Sequence, residues 1–295
     1  MSDRILDFSE EGVRLHVRYD QLVIEREGKD ETTVPLEEIA ALCVSNPRVN
    51  FSHAVLSGLA AKGGCLVVCN EKHLPIGMML PLVGHSTQVE RFAEQAAASL
   101  PTCKRLWQQL VQAKLLSQGK VLKELRGNDQ GLLAMAGRVK SGDSENLEAQ
   151  ASRRYWSALF GDSFRRDREA EDQNRHLNYG YAILRAIVAR AICAAGLHPS
   201  IGVHHHNRYD SFCLADDLME PFRPLVDRAV AQWIQDHDPQ GKFDKENKAA
   251  ILSALTGRFD LEGESRTLFD VTSRLASSLA QVFSGEGQSL LIPEL

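Results

Sequence analysis

Three consecutive histidines, His204, His205 and His206, are the clearest candidates for metal chemistry in the sequence. A neutral imidazole is a common metal ligand. In an extended segment His204 and His206 share one face of the chain, and His205 takes the other. The run therefore offers either one histidine ligand or a His-x-His pair. The same residues also fit a polar loop, because Pro199 and Gly202 interrupt the helical pattern just before them.

Acidic side chains open the helix that is predicted after the histidines. Asp217 and Glu220 are three residues apart and share one helix face. Two like charges side by side repel unless a cation or an arginine lies between them. The helix dipole accounts well for Asp216 and Asp217 at an N-terminus, and less well for Glu220. This segment therefore offers Glu220 together with Asp217.

Glu148 is a third candidate, on a helix face of mostly small residues. Ala151, Ser152 and Tyr155 follow it at spacings of three, four and seven. Small neighbours leave room for an ion or for another helix. The alternative is a surface glutamate that the dipole favours at the start of a helix, and the local sequence alone favours this alternative.

Together these segments offer a carboxylate, a histidine and a second carboxylate. Such a set suits Mg²⁺ or Mn²⁺ chemistry on phosphodiesters. Two alternatives stay open at this point. One is a zinc- or iron-dependent hydrolase of small molecules that uses His204 and His206. The other is a non-catalytic scaffold. Spacing alone does not show that the three segments meet.

The elements that must position these residues fall into two parts. The first part of the chain has the pattern of a β-rich domain. Apolar residues alternate at Val13, Leu15 and Val17, short apolar runs lie at 39–44, 65–69 and 74–80, and one helix is predicted at 52–62. Near residue 82 the hydrophobic period changes to about 3.6. Helices are predicted at 87–99, 102–124, 130–138, 144–160, 176–195, 215–237, 244–256 and 266–284, the first opened by a capping box at Thr87 and Glu90. The expected fold is α+β, with a β-rich domain at 1–82 and a larger all-α catalytic domain at 83–295.

Charge and composition limit the classes of protein. The chain has 295 residues, with 34 basic and 39 acidic side chains and a net charge of −5, so any nucleic-acid site must be local. Residues 153–190 contain eight arginines and no lysine. Guanidinium groups suit bidentate phosphate contacts, although such a run also fits an ordinary solvated face. No membrane-length apolar stretch, export signal or Cys-x-x-Cys pair is evident, which predicts a cytoplasmic protein with reduced thiols.

Four segments carry recognisable motifs: residues 147–153 (LEAQASR), 174–181 (NRHLNYGY), 199–205 (PSIGVHH) and 214–227 (LADDLMEPFRPLVD). Over essentially the whole chain, their order and spacing resemble the CRISPR-associated endonuclease of the adaptation module, the spacer integrase. The family motifs are Glu-Gly-x-Ala-Ala-Arg, Asn-x-x-Leu-Asn-Tyr-Gly-Tyr, Pro-x-x-Gly-x-x-His and an acidic helix. The last two segments are most similar to the type II branch.

The resemblance implies a set of functional residues. The family's catalytic metal ligands, which hold Mg²⁺ or Mn²⁺, correspond to Glu148, His205 and Glu220. Glu220 stands where many members have aspartate. Asp217 takes a second acidic position of that helix and is expected to support the site. His205 is preferred within its run because it keeps the family's spacing from Pro199.

Two departures from the family pattern lie beside Glu148. Ala149 replaces the usual glycine, which is expected to leave slightly less room. Ser152 replaces the second alanine and is similar in size.

The resemblance also implies partners and a reaction. It implies a homodimer through the β domain, and two such dimers bridged by a dimer of the small CRISPR-associated protein two. The assembly would hold a short double-stranded DNA, and each free 3′ hydroxyl would attack a phosphodiester at an end of the CRISPR repeat. The effector nuclease of the same locus is a further candidate partner. DNA contact is expected from Arg153, Arg165, Arg166 and Arg168.

Overall fold

The computed structural model describes residues 4–70, 75–81, 85–241 and 243–294. Its strands and first helix in the N-terminal part are β1 (Arg4–Phe8), β2 (Arg14–Arg18), β3 (Gln21–Glu25), β4 (Thr32–Pro35), β5 (Ile39–Val44), β6 (Asn50–Phe51), α1 (His53–Ala61), β7 (Cys65–Cys69) and β8 (Pro75–Met79). They form two four-stranded sheets, in the orders β1-β5-β7-β8 and β4-β3-β2-β6. The predicted β-rich start with one helix is confirmed. Two predicted features lie outside the described residues. They are residue 74, at the start of the last predicted strand, and the domain boundary between residues 82 and 83.

The central strand β5 of the first sheet is buried on both faces. In β5, Ile39 and Leu42 pack into the core of the β-rich part, whereas Ala40 and Cys43 belong to the core of the helical part. β1, β5 and β7 run parallel, and strands buried on both faces are continuously apolar. This explains why the sequence at 39–44 and 65–69 does not alternate. The sheet therefore joins the two parts of the chain through shared cores.

The second part is mostly helical. Its elements are α2 (Gln88–Ala96), α3 (Leu100–Arg126), α4 (Leu132–Ala136), α5 (Leu147–Phe160), α6 (Gln173–Ala194), α7 (Cys213–Met219), α8 (Arg223–Asp236), α9 (Lys245–Leu255), β9 (Arg258–Leu261), β10 (Glu264–Thr267) and α10 (Leu268–Phe283). The α+β class is confirmed, with one antiparallel hairpin, β9–β10, between the last two helices. None of the helices within the described ranges combines the length and hydrophobicity that a membrane crossing requires.

Two local predictions differ from the structure. The single helix expected at 215–237 is divided, because Pro221 lies in a 3₁₀ turn (Glu220–Phe222) between α7 and α8. Proline lacks the N–H that a continuous helix would use. The capping box expected at Thr87 is wrong, because that side chain makes no cap bond to the helix and its hydroxyl instead contacts His85. A capping box is found at the start of α9, between Asp244 and Asn247.

Helices α6, α8 and α9 approach closely at Gly180. A Cβ at this position would lie 2.4 Å from Cγ1 of Val226 and 2.9 Å from Cγ2 of Ile251. Glycine in the Asn-Tyr-Gly-Tyr segment is therefore required by packing between helices.

Gly180→Ala should destabilise the protein by about 1–3 kcal/mol, because the added methyl group overfills a packed core. Gly137→Ala is the matched control, since its nearest neighbour atom would be 3.9 Å away. Urea denaturation of both variants measures the difference. Equal stability of the two variants would show that the helices can separate at little cost.

Candidate active site

Glu148 lies in the first turn of α5, where a second carboxylate fixes the backbone. Asp143 accepts hydrogen bonds from the amides of Leu147 (2.8 Å) and Glu148 (2.9 Å). Asn146, just before the helix, has a left-handed conformation with φ of 53°. These bonds satisfy free amides at the helix N-terminus and set the direction in which Glu148 leaves it.

The face of α5 that carries Glu148 is partly buried, whereas the local sequence favoured a surface glutamate. Ala151 and Tyr155 are inaccessible to solvent. Ser152 does more than save space, because its hydroxyl donates to Oε1 of Glu148 at 3.1 Å.

A buried tyrosine–aspartate–tyrosine cluster ties α5 to the helices beside it. Asp227 of α8 accepts from the hydroxyl of Tyr155 (3.0 Å) and from that of Tyr181 on α6. Burial raises the pKa of Asp227 to about 7, against the opposing effect of the two tyrosine hydrogen bonds. This cluster fixes the helix of Glu148 relative to the helix that follows Glu220.

Asp217 organises the loop that presents His205. Its side chain is fully buried and accepts from the amides of Val203 (2.7 Å) and His204 (2.8 Å) through Oδ2. Its Oδ1 lies 2.5 Å from Nδ1 of His205. Because an ionised carboxylate only accepts, Nδ1 carries the proton and Nε2 is left as the ligand atom. Gly202 makes this turn possible, since a Cβ there would lie 2.2 Å from the carbonyl oxygen of His205.

Charge around His205 favours its protonated form. The hydrogen bond with Asp217 raises the pKa of His205, and the nearby charge of Glu220 raises it further. The ring also meets Trp107 of α3 edge-on, with centroids 5.6 Å apart. His204 stacks flat on the same indole at 4.1 Å.

Glu220 is buried at the junction of α7 and α8, and two cations compensate its charge. Arg223 donates to Oε1 at 2.9 Å, and the ammonium of Lys114 lies 2.6 Å from Oε2. Burial alone would raise the pKa of Glu220, but Arg223 and Lys114 together lower it to about 2. Oε2 is buried and makes its close polar contact with Lys114, so a metal ion at this oxygen would have to compete with the ammonium.

Lys114 brings the two predicted carboxylates together. Its Nζ contacts Oε1 of Glu148 at 2.5 Å as well as Glu220. Within the described part of the chain, no three His, Cys, Asp or Glu side chains are gathered as a ready-made metal site. The donor types nevertheless suit Mg²⁺ or Mn²⁺, because the carboxylates of Glu148 and Glu220 share one ammonium and the charge of Glu220 acts on the imidazole of His205.

The predicted arginines fall into two groups. Arg153, Arg165 and Arg168 are exposed. Arg166 is half-buried and donates to the side-chain oxygens of Asn174 (2.9 Å) and Asn178 (2.6 Å), so it holds the segment before α6 in place. Arg166 and Arg168 nevertheless line one cavity together with Arg185 and Arg223. The cavity extends from the arginine segment to Arg223, which pairs with Glu220.

Three residues in contact with the candidate site were not predicted from the sequence: Lys114, Trp107 and Arg223. Lys114 carries a usable signal. It occupies a core position of α3, in register with Trp107, Leu110 and Val111, where a lysine is out of place unless it is paired. Arg223 follows Glu220 by three residues, which is the spacing of a helical ion pair.

Comparison with known proteins gives the family of the chain. The family model described as CRISPR associated protein Cas1 matches residues 7–258. The chain belongs to the Cas1 family. A curated Cas1 relative, the CRISPR-associated endonuclease of Neisseria meningitidis serogroup C, is 35% identical over 288 residues, covering 96% of this chain and 94% of the relative.

Solved structures share the Cas1 fold. A casposase bound to integration product superposes with a TM-score of 0.79 at 19% identity, over 98% of this chain and 92% of that one. A Cas6-RT-Cas1–Cas2 complex gives a TM-score of 0.77 at 18% identity, over all of this chain and 36% of that one. These structures confirm the predicted α+β fold, whereas the family model and the Neisseria relative confirm the predicted family of CRISPR-associated endonucleases. Membership of this family implies dependence on a divalent metal ion in general.

Asp217→Asn should lower the pKa of His205, because the hydrogen bond to the carboxylate is what raises it most. NMR-monitored titration of the imidazole measures the change. Asp210→Asn is a control in the same loop, where the side-chain oxygen needed by the Phe212 amide is kept. An unchanged pKa of His205 in the Asp217 variant would contradict the proposed orientation of the ring.

Proposed function

We propose that this chain integrates short DNA fragments into a CRISPR array, and that Glu148, His205 and Glu220 are its catalytic metal ligands. The observation that carries the proposal is the convergence of Glu148 and Glu220 on the single ammonium of Lys114. The imidazole of His205, which Asp217 holds, feels the charge of Glu220. In a Cas1-family chain, this donor set suits phosphodiester chemistry better than hydrolysis of a small molecule through His204 and His206.

The proposed ion is Mg²⁺ or Mn²⁺. Glu148 and Glu220 would each supply a carboxylate oxygen, and His205 would supply Nε2. When bound, the ion would supply a Lewis acid that polarises the scissile phosphate and stabilises the developing charge on the leaving oxygen.

The chain's own residues prepare this centre. Arg223 keeps Glu220 ionised in a buried position, because it supplies a fixed positive charge at 2.9 Å. Asp217 orients His205 and fixes its tautomer. Ser152 restrains the carboxylate of Glu148. These contacts keep the donor atoms in place, which reduces the reorganisation that the reaction would otherwise require.

The reaction needs no covalent enzyme intermediate. The 3′ oxygen of the incoming DNA would form a bond to a repeat phosphorus, and the phosphorus bond to the neighbouring 3′ oxygen would break. The proton of the attacking hydroxyl passes to solvent, and the leaving oxygen takes one up, so the number of phosphodiesters is unchanged. With water as nucleophile, the same centre would hydrolyse DNA.

DNA contacts are proposed for the arginine segment. Arg153, Arg165 and Arg168 are exposed, and a net acidic chain must concentrate its phosphate contacts locally. Arg166 would contribute from the cavity wall, although its bonds to Asn174 and Asn178 also give it a structural role.

The proposed assembly is a homodimer through residues 1–82, joined by Cas2. Two open-edged sheets in the β-rich part support the first proposal, since sheet edges need pairing or cover. A solved structure of the same fold is a complex that contains Cas2, which supports the second. A DNA substrate and unpaired cysteines favour a cytoplasmic location. The effector nuclease of the same locus is a further candidate partner.

Glu148→Gln, His205→Ala and Glu220→Gln should each reduce strand transfer about 100-fold or more, because each removes one ligand of the ion. DNA affinity should stay near that of the wild type. Strand transfer into a repeat-containing plasmid and fluorescence anisotropy with labelled duplex measure the two quantities.

The matched control is His206→Ala, which should retain activity. Loss of activity in His204→Ala or His206→Ala, with His205→Ala active, would move the ligand within the histidine run. Full activity of Glu148→Gln would contradict the proposed centre altogether.

A further inference from the structure

Lys114 projects from the middle of α3 into the candidate centre, and its ammonium has few alternative partners. The residue is 8% exposed, and Nζ lies 2.5 Å from Glu148 and 2.6 Å from Glu220. A buried ammonium is unfavourable unless it is paired. The position of Lys114 therefore depends on the same two carboxylates that the proposed metal ion needs.

Charge at the centre is already balanced without a divalent ion. Arg223 occupies Oε1 of Glu220, Lys114 lies against Oε2, and Lys114 and Ser152 share Oε1 of Glu148. Two carboxylates thus face two cations. A divalent ion held by these carboxylates would add two positive charges directly beside the ammonium, and like charges at such distances repel strongly in a buried site.

The two cations differ in how easily they can leave. Arg223 is held on a second side, because its guanidinium lies over the ring of Tyr181 at 4.7 Å. Lys114 is a point charge on a flexible four-carbon stem. Of the two, Lys114 is the cation that can withdraw.

We propose that Lys114 is a positioning residue of the metal centre. Its ammonium holds Glu148 and Glu220 close together and competes with the divalent ion for their oxygens, so that the ion binds weakly and exchangeably. This inference rests on the proposed function, since it takes Glu148, His205 and Glu220 as the ligands.

Mn²⁺ titration followed by electron paramagnetic resonance of the free ion tests the competition. Lys114→Met and Lys114→Gln should bind Mn²⁺ about tenfold more tightly than the wild type or better, because the competing charge is gone. Lys114→Arg keeps the charge and should bind no more tightly than the wild type. Lys120→Met is the matched control, since Lys120 is on the same helix and pairs with exposed Glu294 at 3.4 Å.

Thermal unfolding gives a second measurement. Without Mn²⁺, Lys114→Met should melt at a lower temperature than the wild type, because Glu220 loses one of its cations. Saturating Mn²⁺ should raise its melting temperature by more than it raises that of the wild type. If Lys114→Met does not fold, Lys114→Gln decides the matter, because it retains a hydrogen-bond donor.

Unchanged or weaker Mn²⁺ affinity in the neutral variants would overturn the role of Lys114 while leaving the proposed centre intact. Failure of the proposed function gives a different result. In that case the wild type would bind no Mn²⁺, or its binding would survive Glu148→Gln, and both proposals would be overturned together.

Discussion

Glu148 and Glu220 must be close together, although both are negatively charged and come from helices far apart in the sequence. Their nearest oxygens are no more than about 5 Å apart, because each lies about 2.5 Å from the same Nζ of Lys114. Two unit charges at that separation repel by about 3 kcal/mol at an effective dielectric constant of about 20. The fold tolerates this repulsion because Lys114 and Arg223 supply compensating charge, and the other features of the site follow from that requirement.

The surrounding framework keeps the pair from separating. Asp227 joins the helix of Glu148 to α6 and α8 through two tyrosine hydroxyls, and the close packing at Gly180 holds α6 against α8 and α9. Asp217 performs the corresponding task for the histidine loop, which it binds through two backbone amides and the ring of His205. Buried carboxylates thus have two distinct uses here, as cross-links between elements and as the proposed ligands.

Local patterns predicted the elements well, and the motifs led to Glu148, His205 and Glu220, whose role as ligands stays a prediction. Continuous apolar runs predicted β5 and β7, and hydrophobic periodicity predicted the long helices. The β9–β10 hairpin and the true role of Thr87 were missed, because short strands and caps depend on neighbours that a local pattern does not contain. Lys114 was missed for a stronger reason. Its partners lie 34 residues away at Glu148 and still further away at Glu220, so only the packed structure shows that one ammonium contacts both.

The most direct test of the centre is an anomalous difference map from crystals of the protein soaked in Mn²⁺, recorded at the manganese absorption edge. We expect one strong peak at bonding distance from Glu148, Glu220 and Nε2 of His205, with the ammonium of Lys114 moved off the two carboxylates. A peak held by His204 and His206 instead, or none near Glu148 at saturating Mn²⁺, would contradict the proposed centre.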